Sequence, residues 1–548
     1  MSLRPRAGAT LRMLLAPAAL YFVLFCLLTY PLITMFSSRL FGDLGDGVQN
    51  YWNLWWMNKS IVQMHAPFWQ TPYLHYPYGT TLLGHTLNPF NGFMAIPMLH
   101  FLSLMEAYNV IVVFSFVMGG VTAFWLTYHI TRAYWPSFLG GCVFTFSEFH
   151  FAHAQGHMQL VSLEWLPLFA LLWYMLVQKP RPLLGFGAAL ALFAVVLCDY
   201  YYMFYSVLLG LIMVIWQAIR SRNPLFFAKR PYLVSFGTFV AFALVTTGPL
   251  VISLLLLSIR DPLIGAHDTL SMSLDLLAPI IPGGHWRFAS LTEGYWGKLP
   301  GNIHESSVYL GLSVVGLLVY VWLKRRGLSS LAPGLWFAVL GFFLVMSLGP
   351  ALHIWGTQVG PEVLPYAWLQ VIFPPLTISG VPLRMMVMVT LAASVLVAMG
   401  FKLLLSGSGA RRIVAVLLVA LMAVEFLPQP LPASALTVPP YVRVLAGLKD
   451  DGGKGVLDTV ANKTMVLYYQ TVHQKPIALG YVSRLPKSVA DIDYQLTTVF
   501  EQRDYAKLRN VFGIRYVVVQ PDFQLTSTAI PVKLIYQGPD ARVYDLGE

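Results

Sequence analysis

Residues 42–65 read GDLGDGVQNYWNLWWMNKSIVQMH, a stretch that opens on acids and glycines and turns to tryptophan. Two carboxylates, Asp43 and Asp46, open it. An amphipathic pattern follows in which Val48, Tyr51, Trp52, Trp55 and Val62 share one helical face. Asp46 stands where a helix N-cap would, just before Gly47. A tryptophan-rich helix of this kind lies flat in a membrane interface, so apolar segments are expected on both sides. One run precedes it, at about 11–29. Ten follow, near 107–129, 136–149, 159–178, 183–198, 201–219, 232–258, 307–323, 331–349, 384–401 and 412–427.

Eleven crossings entered from a cytoplasmic N-terminus place Arg4, Arg6, Arg12, Arg132, Lys179, Arg181, Arg220, Arg222, Lys229, Arg230, Lys324, Arg325, Arg326, Lys402, Arg411 and Arg412 on one side. No Asp or Glu falls among them, which is the positive-inside signature. Acidic residues and histidines gather at the opposite ends of the runs, so the chemistry is expected outside. Composition agrees: the chain is 57% hydrophobic and 11% charged, with a mean hydropathy of +0.65, outside the range of soluble domains. The net charge of +11 belongs to topology, with anionic headgroups as counterions, so nucleic acid is not an expected partner. Cys26, Cys142 and Cys198 fall in or beside apolar runs with no paired spacing, indicating neither a disulfide framework nor a zinc site. The first run lacks a small-residue cleavage site and reads as an uncleaved helix.

Three parts follow. Residues 1–428 form a transmembrane domain with outside loops at 37–106 and 259–306; 429–441 is a proline-rich linker; 442–548 is a small extracytoplasmic α/β domain. Strand candidates in the last are 455–460, 476–482, 514–519, 531–536 and 541–546, with a helix over 490–510.

A first span, then an outside loop opening with Asp at the head of an interfacial helix, then many spans and an outside tail resembles the GT-C class of glycosyltransferases. These are polytopic α-helical membrane enzymes that take a sugar from a polyprenyl-phosphate carrier. The nearest likeness is to prokaryotic GT-C-like proteins, carried by the GD-x-GD start, 75-HYPYGTTL-82, 153-HAQGHMQLVSLEWLPL-168, 304-HESSVYLGL-312, 381-VPLRMMVM-388 and 511-VFGIRYVVV-519. The chain departs from the best-known relatives in having no Asp-Glu pair at the loop start and no WWD-like motif in the tail.

The resemblance implies a hexosyl or pentosyl transfer from a polyprenyl-phosphate-linked sugar to a hydroxyl of a glycan, lipid or protein. An inverting transfer needs a general base at the attacking hydroxyl and positive charge at the leaving phosphate. Asp46 is the expected base, with Asp43 as its alternate; the bland reading is that Asp46 only caps its helix. Arg384, after Val-Pro at the mouth of a span, suits a phosphate held bidentately, or else it snorkels. Glu148, His150, His153 and His157 gather between two spans, at spacings that share a face if the helix runs through Gly156. Glu148, His153, His157, Glu305 and His75 are candidate substrate contacts. If a divalent metal (Mg or Mn) is used, Asp46, His153, His157 and Glu305 are its candidate ligands. Otherwise these groups are polar caps of short helices. Asp199 reads as a hairpin's polar turn, and Glu164 matters only if its helix lines the site. Two rival readings are a lipid-linked saccharide flippase and a non-catalytic envelope-polysaccharide assembly protein. The expected location is the cytoplasmic membrane of a prokaryote.

Overall fold

A computed structural model describes residues 10–223, 226–448 and 454–547. Arg4 and Arg6 of the basic N-terminal group lie outside the described residues. The chain divides into two compact units. One comprises Met1–Met35, Val110–Pro249 and His267–Leu431; the other comprises Phe36–Asn109, Leu250–Ala266 and Pro432–Glu548.

Each of the eleven apolar runs contains a helix, though not over its whole length. Leu11–Leu28, Leu104–Thr131, Met158–Gln178, Tyr200–Ser221 and Pro382–Leu405 are long and apolar enough to cross a membrane, and the broken pair Arg230–Thr246 and Gly248–Arg260 makes a sixth if counted as one span. The break falls at Thr247, just before Gly248-Pro249, where proline supplies no N–H to continue the ladder. Pro182–Cys198 and Pro333–Ser347 are shorter apolar helices, and Tyr134–Thr145, Leu312–Lys324 and Gly409–Glu425 cover the remaining runs.

The first unit is built around helix Met386–Leu405, whose side chains are nearly all buried. Small residues bring its neighbours close. A Cβ at Gly140 would stand 2.6 Å from the Ser394 carbonyl oxygen, so helix Tyr134–Thr145 approaches nearly to backbone contact, as small-residue helix interfaces in membranes do.

In the second unit the first loop and the tail fold together, and here an expectation fails. Helix Asp46–Asn58 does not keep a tryptophan face for lipid: Trp52, Trp55 and Trp56 are buried in one cluster with Tyr441, Leu467, Ile477 and Val518 of the tail. Trp52 and Trp56 stack 5.9 Å apart with planes at 4°, and Trp52 Nε1 donates to Gln470 Oε1 at 2.7 Å. Burying an indole withdraws roughly 200 Å² from water, on the order of 5 kcal/mol before entropy, and the tail offers that burial with a partner for the N–H as well.

The tail sheet has strands Gly455–Asp458, Ile514–Val519, Arg542–Asp545 and Lys533–Gln537 in that spatial order. The first pair is parallel and the others antiparallel. The expected strand at 476–482 shrinks to a bridge between Val456 and Ile477, since Pro476 has no N–H to donate and Gly480 pays more entropy in a strand. The helix expected over 490–510 is two, Lys487–Glu501 and Tyr505–Asn510. Between them Arg503 takes φ +60°, and Asp504 caps the second helix through the Lys507 N–H at 2.9 Å.

Candidate functional site

In the first unit, helix Tyr134–Thr145 ends and Ser147 caps a short helix, Glu148–His153. That helix stops before Gly156, so the three histidines do not share one face. His150 turns into the core, stacked 3.9 Å from Phe116, with its nitrogens 2.7 Å from the Thr145 and 2.9 Å from the Val161 carbonyls; it braces the loop. His153 and His157 face each other, Nδ1 to Nδ1 at 3.3 Å. His153 Nε2 lies 3.7 Å from Glu305 Oε2, on helix Ile303–Ser306.

Glu305 is held from its other side by Arg384. Arg384 Nε donates to Oε1 at 3.0 Å and Oε2 at 3.1 Å, and Nη2 donates to Oε1 as well. Both side chains are under a tenth exposed. Among the described residues, no hydrogen bond uses Arg384 Nη1, so half of the guanidinium fork is left for another ligand. Burial opposes charge on Glu305, but Arg384 and then His153 outweigh it and hold the carboxyl well below the carboxylate range. Burial pushes His153 down, against the opposing pull of Glu305, so its ring is neutral at pH 7.

Further groups complete this end of the helices. Asp199 Oδ1 accepts the N–H groups of Tyr201 and Tyr202 at 2.8 and 3.1 Å, capping helix Tyr200–Ser221. Burial raises its carboxyl, with the Arg384 charge opposing. Glu148 Oε2 accepts the Tyr309 N–H at 2.9 Å and the Gly283 N–H at 3.3 Å, tying the 282–301 loop down. Burial pushes the Glu148 carboxyl up to about 7, against those N–H groups. Residues that the sequence had only placed in a loop prove to be neighbours: His285 Nε2 and His304 Nδ1 are 3.0 Å apart, and the rings of His157 and His304 are 6.0 Å apart. Sequence reading missed Glu425 altogether. Its carboxylate accepts the Leu312 N–H at 2.8 Å and the Tyr309 hydroxyl at 2.9 Å, capping helix Leu312–Lys324. A lone Glu at the end of an apolar run gives no sequence sign of that role.

Ligand atoms of His153, His157 and Glu305 all lie within 4.8 Å of one another, and His153 Nε2 is buried without a hydrogen-bond partner. Two imidazoles and a carboxylate fit a divalent transition metal such as Mn better than Mg, which prefers oxygen. The Arg384 guanidinium competes for the same carboxylate.

The second unit holds the paired aspartates, and their roles divide. The N-cap of helix Asp46–Asn58 is Gly45, not Asp46. Asp43 does the capping: its Oδ1 accepts the N–H groups of Gly45 at 2.9 Å and Gly47 at 2.8 Å. Beneath Asp46, Asn50 Nδ2 donates to the Asp46 carbonyl at 3.0 Å, Asn53 Nδ2 to Asn50 Oδ1 at 3.2 Å, and His85 Nε2 to Asn53 Oδ1 at 2.9 Å. Burial holds His85 neutral, at about 3, against the charge of Asp46. Its Nδ1 accepts the Ser483 N–H at 3.1 Å, which fixes the tautomer. His75 is buried, at φ +52°, with Nδ1 2.8 Å from Asp493 Oδ2, committing the ring to a polar contact with the tail.

A family model described as a domain of unknown function, DUF6311, matches residues 15–427. The chain belongs to the DUF6311 family. No curated protein sequence matches it. Among solved structures, this DUF6311 chain is similar to the arabinofuranosyltransferase AftD from Mycobacteria, at 13% identity and a TM-score of 0.61, over 98% of this chain and 42% of that one. It thus spans less than half the length of that relative. ArnT from Cupriavidus metallidurans, bound to undecaprenyl phosphate, aligns over 96% of this chain and 97% of that one, at 13% identity and a TM-score of 0.49. The oligosaccharyltransferase AglB from Archaeoglobus fulgidus aligns over 93% and 69%, at 13% identity and a TM-score of 0.47. The DUF6311 chain is an integral membrane protein whose helical fold is like that of the GT-C protein AftD.

Proposed function

We propose that the protein is a GT-C glycosyltransferase that moves a hexosyl or pentosyl group from a polyprenyl-phosphate carrier to an acceptor hydroxyl outside the cytoplasmic membrane of a prokaryote. The observation that carries this reading is Arg384, a buried cation with part of its fork anchored on Glu305 and Nη1 left over. A phosphate is the ligand that such a fork fits. Fold likeness to an arabinofuranosyltransferase supports the transferase class. Eleven crossings with the N-terminus inside, a membrane domain over 1–428, the 429–441 linker and an outside tail over 442–548 complete the proposed topology.

In the proposed reaction Asp46 accepts the proton of the acceptor hydroxyl as its oxygen attacks the anomeric carbon. The bond from that carbon to the phosphate oxygen breaks, and the electron pair leaves with the polyprenyl phosphate, whose charge Arg384 meets. Asp43 holds the helix start through the Gly45 and Gly47 N–H groups. Glu305 orients Arg384 and keeps it charged. His153, His157 and Glu148 line or brace the donor side, and His75 acts through packing. A divalent ion held by His153, His157 and Glu305 would add positive charge at the leaving phosphate.

The deciving test is a transfer assay on purified protein in lipid, wild type beside Asp46→Asn, with a panel of labelled polyprenyl-phosphate sugars. Release of polyprenyl phosphate by wild type alone is the expected result. Folded wild type that releases none from any donor overturns the enzyme reading in favour of a lipid-linked saccharide carrier or an assembly protein.

A further inference from the structure

Between Glu362 and Arg384 the chain carries no charged side chain and no histidine, yet it is not long enough in helix to span. Its one α-helix, Pro365–Ile372, has two unlike faces. Tyr366 is 2% exposed and belongs to the core cluster that holds Tyr205, Leu383 and Met385. Four residues on, on the same face, Gln370 Nε2 reaches Thr269 Oγ1 at 3.5 Å. The other face carries Trp368, Val371 and Ile372, at helical spacing, exposed by 64%, 80% and 78%. An eight-residue helix gains little from its own hydrogen bonds, and an apolar face this bare is a liability in water.

What covers it is indicated by its neighbour. Candidate span Tyr200–Ser221 bares Val207, Leu211, Ile215 and Ile219 at every fourth position, the stripe a membrane helix turns to lipid. Phe204 stands one turn before that stripe. Phe373, the residue after the short helix, stacks on Phe204 with ring centroids 5.2 Å apart and planes at 2°. The exposed face therefore continues a lipid-facing surface.

We infer that residues 363–378 form a monotopic sill, with Trp368, Val371 and Ile372 inserted into the bilayer at the headgroup–acyl boundary of the leaflet nearest Arg384. An indole at the interface and aliphatic chains beneath it match that depth. The sill runs directly into Pro382–Met385, the turn that carries Arg384, so the leaflet is seated against the element holding the buried cation. The inference is independent of any transfer chemistry.

The test uses full-length protein in nanodiscs of phosphatidylglycerol and phosphatidylethanolamine. Cys26, Cys142 and Cys198 are replaced by alanine, and spin labels are placed through Val371→Cys, Ile372→Cys and, as a reference outside the patch, Val359→Cys, in the hairpin at Leu352–Val359. We expect the ratio of oxygen to aqueous nickel-chelate accessibility at 371 and 372 to exceed that at 359 by at least fivefold. Ratios equal to that at 359 overturn the inference, as do labels immobilised and shielded from both relaxants, which signify a protein partner or a second copy. Wild-type protein crosslinked with a diazirine phospholipid gives a second reading without mutation: label on the 363–378 peptide at the level of the span peptides supports insertion, and its absence there overturns it.

Discussion

Arg384 and Glu305, 79 residues apart in the chain, meet as a buried ion pair in which one guanidinium nitrogen reaches both carboxylate oxygens, at 3.0 and 3.1 Å. Neither charge would tolerate that burial alone. Removing one partner of such a pair costs about 3–5 kcal/mol, because the other is left uncompensated. The pair is thus a structural requirement that also presents a cation.

Arg384→Gln should lower the thermal midpoint by several degrees, and the double variant Arg384→Gln, Glu305→Gln should recover most of that loss, since amides replace both charges. Turnover of a polyprenyl-phosphate sugar should stay below about one hundredth of wild type in both, the scale of losing a charge-stabilising donor. An active double variant would remove Arg384 from the phosphate site. Thermal unfolding and donor turnover, measured on the same preparations, separate the two effects.

The two aspartates of the first loop should behave oppositely. Asp43→Ala removes the acceptor for the Gly45 and Gly47 N–H groups and should cost about 1–2 kcal/mol of stability. Asp46→Asn leaves the cap intact and should spare stability while lowering kcat by at least a hundredfold. An Asp46→Asn enzyme with normal kcat would transfer the base to another group.

Glu305 can hold a guanidinium or a divalent ion, and the two compete. Mn²⁺ binding, followed by the EPR signal of the free ion, should tighten at least tenfold in Arg384→Met, where the carboxylate is released. It should be lost on adding His153→Ala to that variant. Unchanged affinity in Arg384→Met would show that His153, His157 and Glu305 do not share the ion.

Glu148 makes stability depend on pH. Burial raises its carboxyl from 4.5 to about 7, so the folded state binds more protons than the unfolded state between those values. Its contribution is therefore favourable near pH 4.5 and is lost as pH rises through 7, an effect on the order of 3 kcal/mol. Glu148→Gln, which keeps an oxygen for the Tyr309 and Gly283 N–H groups, should flatten that part of the profile. Parallel melting curves of the two proteins from pH 5 to pH 8 check this.

Much of the membrane architecture was legible because it is local. A run such as 384–401 reads as an apolar helix from composition alone, whereas the run read as continuous over 232–258 proves to be broken at Thr247. The acids and histidines at one end of the runs were also visible. Less legible was how the first loop is used: Trp52, Trp55 and Trp56 make an amphipathic face that suits lipid as well as it suits a protein core, and burial against Tyr441, Leu467 and Val518 depends on tail residues some four hundred positions away. The cap was misassigned for a related reason, since Asp43 and Asp46 both stand within reach of the first-turn N–H groups and only the backbone path through Gly45 selects Asp43.

Local sequence marks out the apolar helices, the ends that carry charge, and the acids and histidines at the ends of the runs. These are properties of neighbouring residues and of the backbone's own periodicity. It takes the folded chain to bring Glu305 to Arg384, to make His150 a brace while His153 and His157 face one another, and to set His75 against Asp493. Such pairings join residues far apart in the chain, and local sequence cannot name the partner that a buried charge takes.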